Sequence, residues 1–227
     1  MLESIDGGVG LIMQKLKALG LEQDTILIFS SDNGANGSEN GSSAPYRGGK
    51  GSGTQQEGWV RVPTIFSMPG VIPQGKDYHK QIANFDFYST IASVAGLPIP
   101  KHCDVVDLIP YINGKNKSEP HEYLFWLNNE PGDAVRRHLL AVRWKDWRLY
   151  KKYEKDPWQL FDLKADPREE QDVTAKHPEV VKQLSSKHEA WVKTLAPLGT
   201  STALKNPAVR TPTGHGWAIA PKKGKAQ

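Results

Sequence analysis

The residues best suited to chemistry stand at the end of one apolar run. Thr25-Ile26-Leu27-Ile28-Phe29-Ser30 is followed by Ser31-Asp32-Asn33-Gly34. Asp32 offers a carboxylate and Asn33 an amide oxygen, hard ligands of the kind that Ca²⁺ or Mg²⁺ takes. The same Asp-Asn-Gly is also an ordinary turn sequence, and taken alone the turn is the commoner reading. Downstream, Tyr46-Arg47-Gly48-Gly49-Lys50-Gly51 places one lysine among glycines. Glycine lets backbone come close to an anion, and Lys50 would add a positive charge; a solvated loop lysine is the alternative. A nucleotide loop is excluded, because Gly49-Lys50-Gly51 lacks the Ser or Thr after Lys and the glycine spacing that a Walker A motif requires.

Elements on either side must position these groups. Leu2, Ile5, Val9, Ile12, Leu16 and Leu19 recur at three and four, which predicts an amphipathic helix over 2–19 closed by Gly20. The apolar, β-branched run at 25–30 predicts a strand buried on both faces, as in a parallel sheet covered by helices. Ligands bind at the C-terminal ends of such strands. From Gly34 to Gly58 there are eight glycines, so a flexible loop is expected. Proline at 63 and 69 brackets another short strand, and Gln81–Asn84 is a possible further one. Asp86 is placed to cap a helix over 87–95, with Phe87, Ile91, Val94 and Ala95 inward. Asp86, Asp104 and Asp107 read as capping or turn residues rather than metal ligands. From about 121 the pattern becomes short strand-like pieces near 124–126, 139–143, 147–150 and 159–161, an antiparallel sheet. Pro178 opens a helix with Val181, Leu184, His188, Trp191 and Leu195 on one stripe. The aromatics Trp144, Trp147, Tyr150, Tyr153, Trp158 and Phe161 fill that sheet's core or, as a minority reading, form a sugar-stacking platform.

Bulk composition narrows the function classes. With 227 residues, 38% hydrophobic content and seven Trp, the chain can build a core. It holds no apolar run of membrane-spanning length and opens on no signal-peptide pattern. Cys103 is the only cysteine, so no intramolecular disulfide framework exists. The net charge of +4 belongs to residues 201–227, which carry five basic and no acidic side chains and are expected to be disordered. The remainder is near neutral, which argues against a nucleic-acid partner.

The order of Ser31-Asp32-Asn33-Gly34, Tyr46-Arg47-Gly48-Gly49-Lys50-Gly51, Glu57-Gly58-Trp59-Val60-Arg61-Val62-Pro63 and Met68-Pro69-Gly70 resembles the C-terminal part of sulfatases of the alkaline-phosphatase superfamily. Leu160-Phe161-Asp162-Leu163 with Asp166-Pro167 is similar to that family's late strand and turn. The resemblance implies an α/β fold: the C-terminal portion of a catalytic sheet-and-helix domain over 1–115, then a small antiparallel sheet with a packed helix over 116–200. It implies Asp32 and Asn33 as calcium ligands, with Mg²⁺ less suited, and Lys50 as a catalytic and substrate-binding lysine that contacts the sulfate. Seven positions separate Lys50 from Glu57, about two more than the family spacing, so Gly53-Thr54-Gln55-Gln56 is expected to reshape the loop. The family nucleophile is a formylglycine made from Cys or Ser, with Pro two and Arg four places on. Cys103-Asp104-Val105-Val106-Asp107 does not fit, and no serine fits either. The formylglycine and the remaining metal ligands are therefore expected in an N-terminal portion, and the chain alone is expected to be inactive. A sulfated small molecule or glycan is the implied substrate, the missing N-terminal half a possible partner, and the periplasm or the exterior the implied compartment. Two other readings stand beside it: a non-catalytic carbohydrate-binding or assembly module on the aromatic sheet, and a phosphoester hydrolase of the same superfamily. The second is disfavoured because no His partners Asp32-Asn33 in a two-metal pattern.

Overall fold

The computed structural model describes residues 2–37, 40–50, 56–99, 101, 103–129 and 137–195. The expected disorder of 201–227 and the loop insertion at 53–55 lie outside them. Helix α1 spans Leu2–Ala18 and is followed, through a 3-10 turn at Glu22–Asp24, by β1 at Leu27–Ser30. Gly20 takes a left-handed φ of 69° and ends the helix as expected. The next elements are a single helical turn α2 at Glu57–Val60, β2 at Thr64–Ser67, α3 at Asp86–Val94 and a short α4 at Ile109–Ile112. Strands β3 to β6 then cover Leu124–Asn129, Arg137–Trp144, Trp147–Tyr153 and Gln159–Asp162, and α5 covers Pro178–Thr194.

The direction of β1 corrects the sequence reading. β1 pairs with β2 antiparallel, Leu27 facing Ser67 and Ser30 facing Thr64, and its residues are only half-buried. An apolar run reports that a strand can be covered on both faces; it carries nothing about the direction of its partner. Gln81–Asn84 forms no strand.

The second sheet follows expectation. It is antiparallel in the order β3-β4-β5-β6, with Phe125 opposite Val142, Val142 opposite Leu149 and Leu149 opposite Leu160. Those three aliphatic residues of β4, β5 and β6 meet Val180 and Leu184 of α5 to make the main apolar core. Three of the aromatics foreseen as core or platform, Trp144, Trp147 and Trp158, pack against this cluster, while Tyr150 and Phe161 are buried. The core reading of the aromatics therefore holds for these residues. On α5 the buried residues are Val180, Leu184 and His188; Val181 and Trp191 lie at the edge, and Leu195 is past the helix end and exposed.

Helix α3 buries a different face from the one its apolar spacing predicts. Asp86, Ser89, Thr90 and Ala92 are buried, while Ile91 is 46% exposed. The reason is hydrogen bonding to the segment ahead of α4. Thr90 Oγ1 accepts from the Leu108 amide at 3.1 Å, and the Ser89 hydroxyl donates to the Val106 carbonyl. Asp86 is not an N-cap either. It is the first helical residue, and its carboxylate accepts from the amides of Ala83 (2.9 Å) and Val106 (3.1 Å) and faces His121 Nε2 at 2.8 Å. It thus joins three separate stretches from a fully buried position. Asp107 keeps the role expected of it, accepting from the Ile109 amide at 2.9 Å where α4 begins.

Candidate functional site

The Asp32–Gly34 turn leaves β1 held on both sides. Ser31 Oγ donates to the Asn33 carbonyl at 2.8 Å, and the Gly34 amide donates to the Trp59 carbonyl at 2.8 Å. This leaves Asp32 exposed and Asn33 half-buried, with Gly34 buried beneath. Asp32 lies on the wall of an open groove of about 2260 Å³, lined also by Phe29, Ile65, His121, Arg143 and Trp191. Lys50 is exposed, and its backbone is fixed to the same turn region: its amide donates to the Ala35 carbonyl at 3.0 Å, in a parallel bridge with Asn36. The fold therefore brings the lysine's backbone to within three residues of Asn33 along the paired strand exit.

Three glycines make this possible through close backbone contact. A Cβ on Gly34 would lie 1.7 Å from the Gly58 carbonyl oxygen. One on Gly58 would lie 2.5 Å from the Arg47 carbonyl oxygen, and one on Gly49 would lie 2.4 Å from that of Ala35. The glycine loop is thus stacked on α2 at distances only glycine permits.

A buried ionic network, which ties Arg47 and Glu57 of the motif series to residues far along the chain, holds the loop's two stems. Arg47 Nη1 donates to the Glu169 carbonyl at 2.7 Å, and the Glu57 amide donates to Glu169 Oε2 at 2.9 Å. The Gly58 amide joins the stems by donating to the Arg47 carbonyl at 2.8 Å. Arg148 Nη1 donates to Glu57 Oε1 at 2.7 Å, and Arg143 Nη1 lies 3.1 Å from Glu57 Oε2. Arg148 Nε is 3.1 Å from Glu169 Oε1, a charge contact whose alignment falls short of a hydrogen bond. Arg148 and Glu169 are fully buried and Glu57 nearly so. The Arg148 guanidinium also lies 5.2 Å from the Trp126 ring, and Arg61 sits 4.5 Å over the Tyr46 ring. Burial raises the Glu169 carboxyl above its ordinary value, opposed by Arg148 and by the Glu57 amide. Burial likewise lowers Arg143. Beyond Arg47 and Glu57, which stand in the motif series, the sequence hint of this cluster is Arg148, a charge set between Trp147 and Leu149 on a strand.

As donors, Asp32 and Asn33 fit a hard divalent cation in kind, but two oxygens are a minority of the six to eight that Ca²⁺ takes. Among the described residues no three His, Cys, Asp or Glu side chains gather as a metal site. None of the described helices is long and apolar enough to cross a membrane.

Comparison with known proteins converges on one family. Residues 55–194 match the family model described as N-sulphoglucosamine sulphohydrolase, C-terminal, and residues 1–97 match the sulfatase model. Steryl-sulfatase of Rattus norvegicus is 30% identical over 245 residues, which covers 91% of this chain and 42% of that protein. Human arylsulfatase A is 37% identical over 146 residues, covering 63% of this chain and 28% of that protein. Among solved structures, Ps i-CgsB in complex with k-i-k-neocarrahexaose superposes with a TM-score of 0.74 at 30% identity, covering 84% of this chain and 41% of that one. BT4656 in complex with D-glucosamine-2-N,6-O-disulfate gives a TM-score of 0.69 at 24% identity, which supports the fold. The chain spans about two-fifths of the length of most of these proteins.

Proposed function

This chain belongs to the sulfatases of the alkaline-phosphatase superfamily, and we propose that it supplies the C-terminal part of a sulfate-ester hydrolase site. In that role Asp32 and Asn33 ligate Ca²⁺, and Lys50 binds the sulfate. The observation that carries the reading is the hydrogen bond from the Lys50 amide to the Ala35 carbonyl, which sets the lysine loop beside the acid–amide turn. A bound calcium ion would neutralise charge on the sulfuryl oxygens. Lys50 would hold one of those oxygens and stabilise the charge that builds there as the ester bond breaks. The formylglycine nucleophile and the remaining ligands come from a complementary N-terminal portion. That portion would rest on the apolar surface left by α1 and the β1–β2 pair, where Leu2, Ile12 and Ile65 are all more than half exposed. The substrate class is a sulfated glycan or small molecule: Ps i-CgsB and BT4656, whose described ligands are sugars, support the glycan. The compartment is periplasmic or extracellular by family likeness.

The test joins this chain to the N-terminal portion of a sulfatase that carries the nucleophile. The chimera is expected to hydrolyse p-nitrocatechol sulfate in a calcium-dependent manner, and Lys50→Ala or Asp32→Ala is expected to lower turnover about 100-fold or more. The chain by itself is expected to show no turnover. Calcium-dependent hydrolysis by the isolated chain would overturn the assignment of the nucleophile to another segment.

A further inference from the structure

The C-terminal sheet does more than cap the molecule, and its reach into the lysine loop is specific. Lys50 lies between two anchor points, Arg47 upstream and Glu57 downstream. Both are tied to a single residue, Glu169, through its carbonyl and its carboxylate respectively. Glu169 is 122 residues from the first anchor and 112 from the second, so neither tie arises from local chain geometry. Glu169 also holds a left-handed backbone, φ 54°, which costs a non-glycine residue about 1 kcal/mol or more and persists only where surroundings impose it. The turn that imposes it is built by Asp166, whose carboxylate accepts from the amides of Glu170 and Gln171, both at 2.8 Å. Arg148 faces the carboxylates of both Glu57 and Glu169 from the central strand β5. A buried carboxylate without that cation would be strongly unfavourable.

We infer that Glu169 is a positioning residue for Lys50, fixing both stems of its loop from the C-terminal sheet, with Arg148 holding Glu169 in place. The inference rests on the reading of Lys50 as the sulfate-binding lysine. Its physical content is pre-organisation: a cation held in register loses less freedom on meeting an anion than one on a free loop. Substituents at Glu169 therefore change anion affinity without touching the anion.

The full 227-residue chain is titrated with inorganic sulfate, followed by NMR at the Gly34 and Gly49 amides, and amide exchange is measured at Glu57 and Lys50. Glu169→Ala is expected to speed exchange at both amides about tenfold and to weaken sulfate binding severalfold. Arg47→Ala, altered at an exposed side chain, releases only the upstream stem and is expected to act in the same direction. Glu169→Gln keeps an oxygen for the Glu57 amide while losing the charge opposite Arg148. It is expected to restore sulfate affinity towards the parent value while the melting temperature stays low, a split that a purely structural role would not produce. If Glu169→Ala does not fold, Arg47→Ala decides alone. Parent-like sulfate affinity in Glu169→Ala and Arg47→Ala, with affinity lost in Lys50→Ala, overturns the positioning role and leaves the lysine assignment standing. Parent-like affinity in Lys50→Ala removes the lysine assignment, and the positioning role with it.

Discussion

Asp86 shows how much one side chain can hold together. Its carboxylate is fully buried and meets two amides and the His121 imidazole from three stretches of chain. Asp86→Ala leaves those groups without their acceptor and is expected to lower unfolding free energy by about 3 kcal/mol, read from urea denaturation. The sequence marks Asp86 as important through its place before an apolar run, but the same spacing serves an N-cap and a first helical residue. Which distant amide would meet the carboxylate is a tertiary matter that local pattern does not encode. His188 offers a second test at this scale. It is buried among Phe125, Trp158 and Trp191, its Nε2 is 3.2 Å from the Trp126 carbonyl, and burial lowers its pKa from 6.5. The unfolded chain then binds more protons than the folded one between that depressed value and 6.5. The stabilisation is complete above pH 6.5 and is lost as pH falls through that window towards the folded pKa. Relative to His188→Gln, which can still donate to the carbonyl, the parent is expected to lose more melting temperature on acidification below pH 6.5.

At the level of elements, the four-stranded sheet and α5 were legible because alternation, turn residues and the helical stripe all agree there. The first half was less so. β1 and the short strand between Pro63 and Pro69 were both found, but not their antiparallel pairing, and α3 was found with its buried face misassigned. In both cases the apolar residues read as inward are half-exposed, because the described chain gives them little to pack on, whereas hydroxyls and a carboxylate fix α3 instead. The glycines of the lysine loop were legible as loop but not as contact. Their function depends on α2, and Gly34 and Gly58 come together with less than a side chain's width between them. Gly34→Ala forces backbone apart at a 1.7 Å contact, so its hydrogen bond to the Trp59 carbonyl is expected to open. Amide exchange at residue 34 should then be faster by about 100-fold, while the β4–β5 amides keep the parent rates.

The whole molecule is uneven in what it buries. The apolar core lies between the second sheet and α5, while α1 buries no residue. Along the stripe, Leu2, Ile5, Ile12 and Leu19 are 45% to 83% exposed. A continuous apolar face of this kind favours association. Ile12→Lys is expected to leave the melting temperature unchanged and to reduce self-association, measured by sedimentation velocity. A melting temperature lowered by the substitution would mean that α1 packs on the rest of the chain in solution. The residues assigned to calcium and sulfate lie on the sparsely packed side, and the ionic network around Glu57 joins that side to the well-packed one. The motif order placed the first group; the network escaped it because Arg143, Arg148 and Glu169 lie in segments whose spacing spells only strand and turn.

The tie between Glu169 and the lysine loop also imposes an order of events during synthesis. Arg47, Lys50 and Glu57 leave the ribosome more than a hundred residues ahead of their anchor. Until the β5–β6 hairpin and the turn beyond it have formed, the loop is held by short-range bonds such as those to Ala35 and Gly58, and long-range closure comes late for entropic reasons. The loop around Lys50 therefore takes its final shape only once Glu169 and the turn around it have been made, so that a nascent polypeptide halted before residue 169 carries the lysine without its distant anchor.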